Sequence, residues 1–385
     1  MSSGYNGVML DKVLQKSALM LPGGGARGAY QVGVIQAIME IMPEGFNFPI
    51  INGTSAGAIN AVVMASYAKN QKHGAARLNH FWSTIHCADV YRTDAGQVFK
   101  TMARVLGSVL FGRFGVKPPK SLLDNSPLAE LLKRELHLDQ IQPAIDEGIL
   151  HGLSITASSY DTAIAKCFYQ ANDTTIPWHR TRRVGLQQDI TVEHIMASTA
   201  LPFLFPAQLI GNEFYGDGGL RNTAPLSPAI HLGADRILVI GTRDESPIDI
   251  PQQPGEYPSM GELGGYMLDT IFMDTLMADL SRLQRINRTL ELMTEEQRIQ
   301  TNLRPVKTWV VKPSVDVREI TKAHAPCIPG PVKTLLKMIG GWGKDWRMPS
   351  YLLFEPSYTK ALIDLGYQDA NNQAEEIKDF FMAKE

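Results

Sequence analysis

An α/β fold on a mainly parallel sheet is expected from three features of the 385-residue chain. Two units of strand, glycine-rich turn and helix follow one another near the N-terminus, the order that builds a parallel sheet with helical crossovers. Further short apolar runs of strand length recur along the chain. The composition, 44% hydrophobic and 20% charged with 33 Gly and 23 Pro, is that of a globular protein with a sizeable core and excludes fibrous and disordered classes.

The first unit is a buried strand at Ser17–Leu21, interrupted by Pro22 and three glycines, then a helix at Gly28–Met42 stopped by Pro43. The second is a strand at Phe48–Asn52, a tight turn at Gly53–Gly57 and an Ala- and Val-rich helix at Ala58–Lys69. Strands are also expected at Leu153–Ser158, Lys166–Gln170, Arg236–Gly241 and Thr308–Lys312, the third preceded by a helix at Ser227–Leu232. The catalytic unit should span about residues 14–245, with residues 246–385 as a C-terminal extension. Asp244–Pro258 reads as a loop, and Gly261–Met293 as one long helix outside the core, with Asp269, Asp274 and Asp279 preceding Arg282, Arg285 and Arg288 in the order that suits its dipole. The Met- and Leu-bearing face of that helix leaves a homodimer seam or intramolecular packing open.

Thirty-seven basic and 39 acidic side chains give a net charge of -2, which speaks against dedicated nucleic-acid binding. Three widely spaced cysteines, Cys87, Cys167 and Cys327, build neither a disulfide framework nor a C-x-x-C motif, so a reducing, cytoplasmic setting is expected. No secretory h-region and no transmembrane run is found, so any membrane contact is expected to be peripheral. Two segments suit such contact. Gln97–Leu123 is acid-free, with five basic residues among Val98, Phe99, Leu106, Phe111 and other apolar ones; Ile328–Met348 mixes four basic residues with Leu335, Leu336, Trp342 and Trp346, although Gly340, Gly341 and Gly343 argue against a continuous helix. Packing of both segments against the core is the competing expectation.

The chemistry concentrates in three glycine-rich stretches. Gly53-Thr-Ser-Ala-Gly57 is a G-x-S-x-G sequence at a strand-to-helix turn, where a sharp bend exposes a serine between glycines, so Ser55 is the candidate nucleophile. Gly23-Gly24-Gly25-Ala26-Arg27-Gly28 offers unobstructed N–H groups and a cation at a helix start, as an oxyanion requires. Gly23, Gly25 and Gly28 also match G-x-G-x-x-G, but a dinucleotide site needs an acidic residue at the end of the second strand, where this chain has the serine turn. Asp217, followed by Gly218 and Gly219, is the candidate base, against the alternative that Asp-Gly marks a hairpin turn. His231 and His324 have the chain order of a triad histidine, and neither sits in a distinctive context.

Together and in this order, Gly23–Gly28, Gly53–Gly57 and Asp217–Gly219 resemble the patatin-like phospholipases, supported by Ala197–Pro202, Pro206 and Leu122–Pro127. The resemblance implies a three-layer α/β/α patatin-like fold and a lipid acyl hydrolase that needs no calcium or other cofactor. It makes Ser55 the nucleophile, Asp217 its base without a histidine, and Gly24, Gly25 and Arg27 oxyanion elements. The implied substrate is a phospholipid, lysophospholipid or acylglycerol, met at the inner face of the membrane. Acyl transfer to another alcohol or thiol, and a scaffold that keeps the fold, are the alternatives. Ser350–Pro356 and Ala361–Gly366 look similar to the tail of larger bacterial members, with no role assigned by sequence.

Overall fold

The computed structural model describes residues 16–96, 100, 103–104, 120–172, 175–244 and 257–382. Its centre is a sheet in the order β10-β9-β1-β2-β3-β4-β6-β5, with β8 pairing β3 and β7 pairing β8; β5 (His179–Arg180), β6 (Arg183–Gln187) and β7 (Gln208–Ile210) are short strands. The strands that carry the site are β1 (Ser17–Leu21), β2 (Ile50–Thr54), β3 (Gly152–Ser159), β8 (Glu213–Asp217) and β9 (Arg236–Ile240). β1, β2 and β9 are buried along their whole length, which is why SALML and RILVI are continuous runs with no alternation. Pairing is parallel from β10 (Lys307–Val311) through β9, β1 and β2 to β3, and antiparallel where β3 meets β4 (Ala165–Ala171) and β8. Helices cover the mostly parallel sheet in the α/β/α arrangement.

Strands β2 and β3 lie to one side of β1, and β9 and β10 to the other, so the chain reverses direction across the sheet between β1 and β9. Loops at the carboxyl ends of parallel strands around such a switch form a crevice, and the first two glycine motifs leave the sheet there. After β1 and a short 3₁₀ turn at Gly25–Gly28 comes α1 (Ala29–Ile41); after β2 comes α2 (Ala56–Ser66), and α3 (Gln71–Thr84) packs on both. The second strand begins and ends two residues later than expected from the apolar run Phe48–Asn52, because Thr54 still pairs with Thr156 of β3.

The C-terminal third is built into the same core. β10 extends the sheet beside β9, and α8 (Pro356–Asn371) lies along α1. That crossing is a backbone contact: a Cβ on Gly33 would overlap the Ile363 carbonyl, and one on Gly366 would overlap the Tyr30 carbonyl, while Tyr30 Oη donates to Asp369 Oδ2 at 2.9 Å. Gly366→Val is therefore expected to overpack the crossing and destabilise the fold by about 3 kcal/mol or more, read as a lower midpoint in chemical denaturation.

The expected long helix is present as α5 (Met260–Asp269), a π-helical turn at Thr270–Asp274 and α6 (Thr275–Glu291), but it does not pack outside the core. Leu268, Phe272, Met273, Leu276, Leu280 and Leu283 are buried within the chain, while Met260, Leu263 and Met267 at its start are exposed. In the amphipathic segment the helix ends at Met338, before Gly340 at φ +76° and Gly343 at φ +102°. Its apolar residues Ile328, Val332, Leu335 and Leu336 are buried, so they are covered by the protein itself. Residues 97–99, 101–102 and 105–119 of the basic insertion, and 245–256 of the expected loop, lie outside the described residues. Among the described residues no helix is long and apolar enough to cross a membrane.

Candidate active site

Ser55 sits at the apex of the turn between β2 and α2 with φ +56° and ψ -130°, a conformation that costs a non-glycine residue of order 1–3 kcal/mol. Tight packing of the turn holds it there. A Cβ on Gly53 would overlap the Gly57 carbonyl, and one on Gly57 would overlap the Leu21 carbonyl, so both glycines are needed for close approach of strand and helix. The Ser55 N–H donates to Ser198 Oγ at 2.9 Å, and that hydroxyl donates to the Thr156 carbonyl at 2.7 Å. Ser198 closes α4 (Val192–Ser198), so a third element fixes the Ser55 backbone.

Asp217 ends β8, paired with Ala157 of β3, and its N–H donates to the Ala200 carbonyl at 2.9 Å. It is fully buried. Oδ1 accepts from the Gly219 N–H at 2.9 Å, and Oδ2 has no hydrogen-bond partner among the described residues. Burial drives the carboxyl up to about 7, with the Ser55 hydroxyl and the Gly219 N–H pulling the other way. A carboxylate poised near neutrality with one free oxygen beside a serine hydroxyl has the properties of a general base. Gly218 brings the two motifs together: a Cβ there would lie 2.8 Å from Thr54 Cγ2, next to Ser55.

The first glycine motif faces the serine. A Cβ on Gly23 would stand 2.9 Å from Ser55 Cβ, and Gly25 adopts φ +55°, where glycine is favoured. Thr242 Oγ1, just beyond β9, donates to the Gly23 carbonyl at 2.9 Å and pins the loop. Gln31 Nε2 donates to the Pro22 carbonyl at 2.9 Å, Asn60 Nδ2 donates to Gln31 Oε1 at 2.9 Å, and Trp82 Nε1 donates to Asn60 Oδ1 at 2.7 Å. This buried chain ties the loop to the serine helix. Among the described residues the N–H groups of Gly24 and Gly25 have no acceptor. The Ala56 N–H, first on the serine helix, is the other natural donor to an oxyanion, and the sequence motif alone gave no reason to single it out.

Arg27 is placed differently from the other motif residues. Its N–H closes the 3₁₀ turn onto the Gly24 carbonyl at 3.1 Å, and its buried guanidinium reaches the C-terminal third. Nη1 pairs with Asp269 at 2.9 Å, Nε donates to Ser350 Oγ at 2.8 Å, and the group stacks 4.1 Å from the Tyr351 ring centroid. These contacts make it a strut between the glycine loop and α7 (Arg347–Leu352), in place of the expected free cation beside the serine. Gly28 packs against the serine helix, where a Cβ would lie 3.0 Å from Ala56 Cβ.

The histidines are elsewhere. His231 stacks on Trp178 with centroids 4.7 Å apart, burial and neighbouring arginines lower it to about 4, and His324 lies beside Tyr358. The cavity at Ser55, lined by Ile59, Phe81, Trp82, Leu128, Leu201 and Phe205 among others, is apolar and holds only about 20 Å³. Phe272 of the π-turn covers the other side, in contact with both Gly23 and Gly219. π-turns inside α-helices often mark functional sites, and nothing in the apolar periodicity of the long helix revealed this one.

The family model for patatin-like phospholipase matches residues 19–230, a span that takes in Ser55, Asp217 and all three glycine motifs. No curated protein matches the chain significantly in sequence. Among solved structures, VipD from Legionella pneumophila aligns at 12% identity with a TM-score of 0.34, over 94% of this chain and 67% of that one. On the family match the chain belongs to the patatin-like phospholipases and is, at the level of that family, a lipid hydrolase.

Proposed function

We propose that the protein cleaves fatty-acyl esters of lipids through a Ser55/Asp217 dyad and an acyl-enzyme. The observation that carries this reading is the buried Asp217 carboxyl, its Oδ2 without a hydrogen-bond partner among the described residues, beside a serine held in a strained turn. Ser55 Oγ attacks the ester carbonyl while Asp217 Oδ2 accepts its proton. The tetrahedral oxyanion is met by the N–H groups of Gly24, Gly25 and Ala56, each such donor contributing ~2.7–4 kcal/mol in known hydrolases. Collapse expels the alcohol, protonated by Asp217, and leaves the acyl group on Ser55. Asp217 then takes a proton from water, which attacks the acyl-enzyme and releases the fatty acid.

Apolar walls around the serine suit an acyl chain better than a polar ester. A cavity of about 20 Å³ holds little more than one water, so the ester enters only when side chains at its rim move aside. Fluorophosphonate labelling of wild type and Ser55→Ala, run beside fatty-acid release from phospholipids, lysophospholipids and acylglycerols without calcium, tests the proposal. Labelling and release should both vanish in Ser55→Ala. Release that persists in a folded Ser55→Ala protein would remove Ser55 from the mechanism, and acyl esters of an added alcohol among the products would identify transfer.

A further inference from the structure

A second apolar space lies beside the site and is far larger. The face of α5 that carries Met260, Leu263 and Met267 borders a groove of about 540 Å³, closed on the other side by Leu122, Phe203 and Leu204. Among the described residues lining it, Lys120 at its edge is the only charged one. The volume falls within the ~300–1,000 Å³ of small-molecule sites. Leu263 and Met267 are 41% and 48% exposed, an arrangement that leaves large side chains in water unless something covers them.

The groove runs up to the catalytic residues without opening into them. Thr199, Leu201 and Phe205 line the Ser55 cavity, and the intervening Pro202, Phe203 and Leu204 line the groove, so one stretch of chain is the wall between the two. At its inner end Ile271 lines the groove and also abuts the Asp217 turn, where its Cγ2 would lie 2.6 Å from a Cβ on Gly219. If the acyl chain of an ester at Ser55 takes the narrow cavity, its alcohol side is left to face the neighbouring residues, among them Pro202, Phe203, Leu204 and Ile271, which border the groove. In a diacyl glycerolipid the adjacent carbon carries the other chain, so the two chains diverge where the two apolar spaces do.

We propose that the groove holds the uncleaved acyl chain of a diacyl glycerolipid whose other chain is cleaved at Ser55, an inference that rests on the dyad reading above. Diacyl lipids are then the preferred substrates over lysolipids, because only they fill both spaces. Each buried methylene of the retained chain raises kcat/KM by about fourfold until the groove is full.

The test has a chemical and a non-chemical arm. In the first, diacylglycerophosphocholines with a constant cleaved chain and a progressively shortened retained chain are assayed with wild type and with Leu263→Glu/Met267→Glu. The expected result is a steep dependence on retained-chain length in wild type that flattens in the double variant; an equal dependence in both proteins, or none in wild type, overturns the proposal. In the second, binding of the fluorescent fatty acid cis-parinaric acid is measured with Ser55→Ala protein, which needs no turnover. Saturable binding weakened at least tenfold by the two glutamates supports the groove as a chain site, and unchanged binding overturns it. A wild-type dimer that the two glutamates dissolve assigns the groove to a second copy and also overturns it. Failure of the dyad reading is seen separately, as absence of fluorophosphonate labelling in folded wild type.

Discussion

Asp217→Asn is expected to lower kcat/KM by about 10²–10⁴-fold and, at the same time, to make the protein more stable above neutral pH. On the proposed mechanism the loss follows from removing the carboxylate beside Ser55, since an amide cannot take the serine proton. The gain follows from linkage. The carboxyl titrates near 3.8 when unfolded and at about 7 in the native protein, raised by burial. Between those values the native state keeps a proton that the unfolded state has lost, so stability falls as pH rises through this window. At pH 8 the native protein carries a buried charge at a cost of roughly 4 kcal/mol, which asparagine does not incur. Thermal unfolding of the two proteins should therefore show the variant melting higher at pH 8, with the difference narrowing as pH falls toward 4. In wild type, kcat/KM should rise with pH around an apparent pKa of about 7 and then level off, because only the ionised carboxylate accepts the proton. A variant that loses activity without any pH-dependent gain in stability would mean that Asp217 titrates at the same pH in the native and unfolded proteins, so that burial does not raise it.

The parts of this site that were legible in the sequence are those that chain-local geometry demands. A serine between glycines after a strand has few other uses, and Gly23–Gly28 and Asp217–Gly219 carry the same logic of close backbone approach. What escaped is supplied from a distance. Ser198, which holds the Ser55 N–H, lies in the stretch Ala197–Pro202 that supports the resemblance but had no role there, and Thr242, which pins Gly23, and Phe272, which covers Gly23 and Gly219, are ordinary residues in ordinary contexts until the sheet brings them in. The long helix was legible as a helix, but its π-turn and its burial depend on the shape of the surface it meets. Ser350–Pro356 and Ala361–Gly366 had no visible role because their partners, Arg27, Tyr30 and Gly33, lie more than 300 residues earlier. Arg27 shows the converse: its place in the glycine motif suggested the oxyanion, and its side chain turned out to be structural because Asp269 and Tyr351 satisfy it elsewhere.

Removing Asp269 alone should cost about 3–5 kcal/mol, more than most single changes outside the hydrophobic core. Its carboxylate accepts from Arg27 Nη1 at 2.9 Å, Tyr351 Oη at 2.7 Å and Arg347 Nε at 3.0 Å. Burial alone would raise its pKa, but Arg27, the Tyr351 hydroxyl, Arg243 and Arg347 outweigh burial and hold it below the usual carboxylate range. Asp269→Ala leaves the Arg27 guanidinium buried without its counter-ion, already with Nη2 lacking a partner among the described residues. Arg347 is less affected, because Asp345 holds its Nη1 at 2.6 Å. The double variant Arg27→Met/Asp269→Leu removes both charges and should recover most of the lost stability, since a well-packed apolar pair replaces a buried ion pair at little cost. Urea denaturation of wild type, the single variant and the double variant decides this. Equal loss in the single and double variants would show that the hydrogen bonds to Tyr351 and Ser350, and not the unpaired charge, carry the energy. The pH dependence is opposite in sign to that of Asp217: a depressed carboxyl contributes stability at pH values above about 4 and loses it as pH falls through its native pKa. Asp269→Ala should therefore narrow its deficit against wild type only below about pH 4, where the advantage of Asp217→Asn has already gone. Because Asp269 immediately precedes the π-turn that lays Phe272 over Gly23, the single variant should also lose turnover in step with stability, and recovery of both in the double variant would make the ion pair a strut for the glycine loop with no part in the chemistry.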